Sequence, residues 1–107
     1  MINDDAKLKA EFDRELMNVY LRAKTEANYV ATIFHNMLVD LGGTITAKRL
    51  INGPVSEGYT ALWERKRLDL TVEAVVVDNT KWHILFDDEE IKKARKRLTD
   101  YGYTRDH

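Results

Sequence analysis

The residues best suited to proton transfer or metal binding at neutral pH are His35, His83 and His107. A catalytic base needs a nucleophile or carboxylate in reach, and a metal ligand needs partners at matched spacing. The three histidines stand far apart, and no His-x-x-x-His or Glu-x-x-His pair occurs. His35, set among Phe34, Asn36 and Met37, is therefore expected to be a flank histidine bonded to backbone or water. A small hydrolase built on His35 and nearby carboxylates is the least favoured functional reading. Acidic runs at Asp4-Asp5 and Asp87-Asp88-Glu89-Glu90 suggest magnesium, but both sit where helices are expected to begin. There carboxylates stabilise unpaired N–H groups and the positive end of the helix dipole. Gly42-Gly43 lacks the Lys-Ser/Thr and the third glycine of a phosphate loop. With no cysteine, thiolate chemistry and disulfides are excluded. The expectation is a protein that is not an enzyme and takes no metal or cofactor.

Two basic groups suggest binding. Lys92, Arg95 and Lys96 share one surface of an expected last helix, opposite Ile91, Ala94 and Leu98, and a row of this kind can grip phosphates. Glu89–Lys93 and Asp88–Lys92 are ready i,i+4 pairs, so a solvated face is the plainer reading. The second group lies in Gly58–Asp78, which packs a tryptophan, the cluster Glu64-Arg65-Lys66-Arg67 and the longest β-branched run into one stretch. Arginine forks suit bidentate binding of carboxylate or phosphate. Arg67, next to a turn, is expected to pair internally with Asp69 or Glu73, leaving Arg65 for a partner.

The elements that must position these residues are mostly helical, since one proline and five glycines interrupt 107 residues. Asn3-Asp4-Asp5 offers caps for a first helix with Leu8, Phe12, Leu16, Val19 and Ala23 as its apolar stripe. Asn28 marks a joint, and Val30, Ile33, Phe34, Met37, Leu38 and Leu41 form a second stripe stopped by Gly42-Gly43. The two predict an antiparallel helical hairpin. Thr44 is the expected cap of a short helix through Ile45, Leu50 and Ile51, and Ser56 of another that turns Tyr59, Leu62 and Trp63 to the core. Asp87 with Glu90 reads as a capping box, flanked by a Phe86–Ile91 hydrophobic staple. Segment 68–86 is ambiguous. Leu68, Leu70, Val72 and Ala74 alternate as in a strand, and a β-hairpin around Asp78-Asn79 would suit them. A short helix from about Thr71 to Val77, capped by Asp69 or Thr71, buries the valines equally well, and no third strand is available to support a hairpin. The expected fold is all-α, a single compact domain over 1–107 with five or six helices; the alternative is α+β with a hairpin at about 68–86.

Composition agrees with a small folded domain: 44% hydrophobic and 33% charged residues, with a net charge of −1. That balance supplies no global attraction to nucleic acid or anionic membrane. No apolar run approaches the roughly 20 residues of a membrane span, and Met1–Asp5 holds no signal-peptide core. A soluble, cytoplasmic protein is expected.

Gly58–Arg65, Arg67–Ala74, Leu85-Phe86, Ala94–Leu98 and Tyr101-Gly102-Tyr103 together resemble the sequences of a group of small, uncharacterised bacterial all-helical proteins and domains. The likeness extends upstream through Tyr20, Ala23 and Tyr29–Leu41. It implies a helical domain that occurs alone or attached to larger proteins, sometimes nuclease-like or related to defence against foreign DNA. It brings no established activity and no catalytic residues. The leading expectation is a non-enzymatic interaction or accessory module that docks on a partner protein or self-associates. Arg65, Trp82, Tyr101 and Tyr103 are the candidate partner-binding residues, because large aromatics and arginine anchor interfaces. The alternative is a small nucleic-acid-binding protein using Lys92, Arg95 and Lys96.

Overall fold

Six α-helices and two short 3₁₀ segments make up the computed structural model, which describes residues 4–103. The predicted cap at Asn3 and the histidine at 107 lie outside that range. No strand occurs among the described residues. The first helix, α1 (Asp4–Glu26), is the longest, and its predicted stripe is its buried face: Phe12, Leu16, Val19 and Ala23 are all buried. It ends where Asn28 takes a left-handed backbone, φ 52°. The chain then returns as α2 (Thr32–Leu41), with the Tyr20 and His35 rings 4.6 Å apart and Asp13 beside Gly43. These pairings, early residue against late, make the hairpin antiparallel.

The second stripe is only partly right. Because α2 starts at Thr32, Val30 falls in the connection and is 52% exposed. Ile33 stands about 100° around the helix from Phe34 and is 70% exposed, while Leu38 is buried. The cap predicted for the third helix is also corrected. α3 (Gly43–Asn52) has no side-chain cap from Thr44; Asp13 of α1 accepts the Gly43 N–H at 2.6 Å instead. A Cβ at Gly43 would stand 2.8 Å from Asp13 Oδ1 and 3.2 Å from the Asp13 Cα, so a larger residue there would force this contact to shift. Ile45 is exposed, and Thr46, Ala47 and Ile51 are the buried positions.

Ser56 does cap α4 (Glu57–Glu64), accepting the Tyr59 N–H at 3.0 Å. Tyr59 and Leu62 are buried, whereas Trp63 is 45% exposed. The expectation that Trp63 is a core anchor is therefore corrected. It lies in the last turn of a short helix, past the edge of the core, with its ring edge-on to Tyr101 at 5.5 Å.

Segment 68–86 forms no hairpin. Leu68–Leu70 is a 3₁₀ turn, and Thr71 caps α5 (Val72–Asp78) by accepting the Ala74 N–H at 3.2 Å. Leu68 and every residue from Leu70 to Ala74 are buried, so the strand-like alternation marks no wet face. A second 3₁₀ segment, Thr80–Leu85, carries Trp82 into the core, its ring 5.2 Å from that of Phe12. The last helix, α6 (Asp88–Asp100), begins with the predicted capping box, both reciprocal bonds being present. Phe86 and Ile91 share the core with Phe12 and Trp82. The radius of gyration, 13.2 Å, is that expected of one compact domain of this length.

Candidate functional site

The ends of α1, α2, α4 and α5 leave a cleft of about 340 Å³ between them. Its walls come from Val19 and Ala23 of α1, the Tyr29–Phe34 stretch, and Gly58 and Leu62 of α4, with Leu70 and Val72 closing the base. Two sequence events open it. The left-handed Asn28 turns the chain back at the end of α1, where the Tyr29 N–H donates to the Ala23 carbonyl at 3.0 Å, and Gly58, opposite, leaves room for the Tyr29 hydroxyl, 3.4 Å from where a Cβ would stand. Apolar atoms dominate the lining, and the volume falls in the range of ligand pockets. Val30 and Ile33 form an exposed apolar rim.

At the back of the cleft stands Glu73, a buried carboxylate held by Arg97 Nη1 at 2.9 Å. The same guanidinium donates to the Leu50 carbonyl at 3.1 Å and the Gly53 carbonyl at 2.7 Å, tying α5, α6 and the end of α3 together. Burial pushes the Glu73 carboxyl above the ordinary range, with Arg97 opposing it. Tyr59, also at the cleft, donates its hydroxyl to the Arg97 carbonyl at 3.2 Å, and burial likewise raises its pKa. These polar groups are bound to one another. They hold the fold, and no nucleophile–base pair emerges from them.

The residues singled out from sequence do not converge. Trp82 is 4% exposed and packed on Phe12, so its assignment as a partner-binding surface residue is corrected; its position in an apparent loop concealed a buried 3₁₀ segment. Tyr101 is half-buried, edge-on to Tyr59 at 5.1 Å and to Trp63. Tyr103 donates its hydroxyl to the Asp78 carboxylate, fastening the end of the described chain to α5. Arg65 is exposed, yet it donates to the Ala27 carbonyl at 3.0 Å and the Ala61 carbonyl at 3.0 Å, and lies over the Tyr29 ring. It closes the α1 joint against α4. Arg67 forks onto Asp69 as the sequence predicts, and also reaches Glu26 at 2.7 Å. His35 packs on Tyr20. His83 Nε2 lies 2.9 Å from the Val76 carbonyl.

Lys92, Arg95 and Lys96 are exposed on the outer face of α6. Lys92 lies 3.7 Å from Glu89 and Lys96 2.7 Å from Asp100, while Lys93 turns to the Asn52 side chain. Arg97, the other arginine of this helix, points inward. Duplex DNA is thus expected not to bind appreciably at physiological salt. Sub-micromolar affinity falling steeply with salt in a mobility-shift series would contradict this.

The cleft itself is the feature that sequence reading missed. Val30 and Ile33 read as core because their spacing matches a buried stripe. Asn28 marks the joint in the sequence, but nothing in it tells that the turn there delays the start of α2 to Thr32. Among the described residues no group of three or more His, Cys, Asp or Glu could hold a metal ion, and no helix is long and apolar enough to cross a membrane. No protein-family model, curated protein or solved structure matches this chain.

Proposed function

We propose that this all-helical chain is a non-enzymatic interaction module that works in the cytoplasm and holds a partner protein through the cleft between α1, α2, α4 and α5. One observation carries the reading: an apolar cleft continues onto an apolar rim, Val30 and Ile33, that the described residues leave exposed. Exposed apolar surface rimming a concavity is characteristic of docking sites. Glu73 and Tyr59, the polar groups at the cleft, are both held by Arg97, which leaves the apolar surface as its main binding feature. The resemblance carried by Gly58–Ala74 and Tyr101–Tyr103, to domains found alone or attached to larger bacterial proteins, suits an accessory role beside a nuclease or DNA-defence protein.

The test is recovery of the tagged protein from its native host beside an Ile33→Glu variant. Ile33 is exposed, so the variant should keep its stability within about 0.5 kcal/mol. Loss of a stoichiometric partner with the melting temperature unchanged is the expected result. Recovery of the same partner by both proteins would defeat the assignment.

A further inference from the structure

We infer that the cleft takes an amphipathic, basic segment of the partner: apolar side chains enter the cavity and a flanking lysine or arginine meets Glu57. This rests on the docking reading above and adds the chemistry of the occupant. Two observations select it. Val30 and Ile33 line the cavity and are also 52% and 70% exposed, so the apolar surface runs from the cavity out over its rim, and an elongated occupant covers more of it than a compact one. An amphipathic peptide does so, setting apolar anchors at helical spacing into the groove.

The second observation is charge. Two charged residues line the cleft, and both are acids, Glu57 and Glu73. Glu73 is neutralised from behind by Arg97. Glu57, exposed in the first turn of α4, makes no ion pair or hydrogen bond with any described residue. Arg65, which lies over the ring of the cleft residue Tyr29, is committed to two backbone carbonyls. An acidic segment would therefore bring its charge against Glu57 with no lysine or arginine lining the cleft to answer it, whereas a basic one completes the pair.

A library of random peptides of about 15 residues, about four helical turns, displayed on phage and selected on the full chain, tests this. The Ile33→Glu variant serves for counter-selection. Enriched peptides should carry apolar residues three and four apart together with an excess of Lys and Arg. Their affinity should fall about fivefold in Glu57→Gln, the upper end for one exposed ion pair. Enrichment of neutral or acidic peptides that still depend on Ile33 would overturn the charge assignment and leave protein docking standing. Failure to enrich any Ile33-dependent peptide would overturn both. A dimer of the wild-type chain in light scattering that Ile33→Glu dissociates would show a second copy as the occupant and overturn the inference.

Discussion

Trp82→Ala should cost about 3–5 kcal/mol, the usual range for emptying a buried aromatic site, while Trp63→Ala should cost about 1 kcal/mol, the worth of one partly exposed aromatic contact. The asymmetry follows from position. Trp82 is enclosed between Phe12 and the α5–α6 layer, with the Lys81 ammonium 5.0 Å over its ring and Lys81 itself paired to Glu11. Its removal leaves a cavity that a rigid neighbour such as Phe12, itself packed edge-on to Phe86 at 5.6 Å, cannot collapse into. Trp63 loses the Tyr101 contact and little else. In a domain of this size the Trp82 loss should lower Tm by at least about 10 °C. Thermal and urea melts of both variants decide the matter. A Trp63→Ala variant as unstable as Trp82→Ala would show that the α4 end is part of the core after all.

That contrast also shows what the sequence could and could not convey. Periodicity located α1 and α6 because each has one wet face, and local chemistry located the starts of α4 and α6 at Ser56 and Asp87, and that of α5 to within the pair Asp69 or Thr71, of which Thr71 is the cap. It failed wherever a partner distant in sequence settles the outcome. Trp63 stands four residues from Tyr59 and so shares its face, yet only the length of α4 relative to the core beneath decides that it is half exposed. Trp82 sits among polar residues that read as a turn, but Asn79 closes that turn by accepting the Lys81 N–H and aims the indole inward. Thr44 is a sound local cap that lost to Asp13, thirty residues earlier. The cleft was invisible for the same reason, being a gap between four elements rather than a property of one. Arg97 is the sharpest case. It ends a run of six residues, Lys92–Arg97, that holds five cations, and helical spacing alone does not tell which of them turns inward to Glu73.

Removing Arg97 should therefore be among the most damaging single changes outside the apolar core. Arg97→Met leaves the buried Glu73 carboxylate without its counter-charge, an outcome that typically costs about 3–5 kcal/mol. The double variant Glu73→Leu/Arg97→Met removes the stranded charge and should recover part of that loss. About 2 kcal/mol should remain, since the Leu50 and Gly53 carbonyls at the end of α3 also lose their donor. The pH dependence separates this account from simple loss of packing. Burial raises the Glu73 carboxyl above its ordinary value of 4.5 in the folded state, so the folded chain holds that proton more tightly than the unfolded one. Stability from this group is then fullest below pH 4.5 and is lost as pH rises through the raised folded value. Arg97 opposes that loss; without it the decline should steepen and reach to higher pH. Other carboxylates run the opposite way, as at Glu26, which Arg22 and Arg67 lower to about 2, so the comparison must be made as a difference from wild type at each pH. The Arg97→Met deficit should shrink on acidification, and Glu73→Gln in the same background should abolish the pH dependence of the deficit. A deficit of equal size at all pH values would place the role of Arg97 in packing and in its carbonyl bonds, with the ion pair contributing nothing.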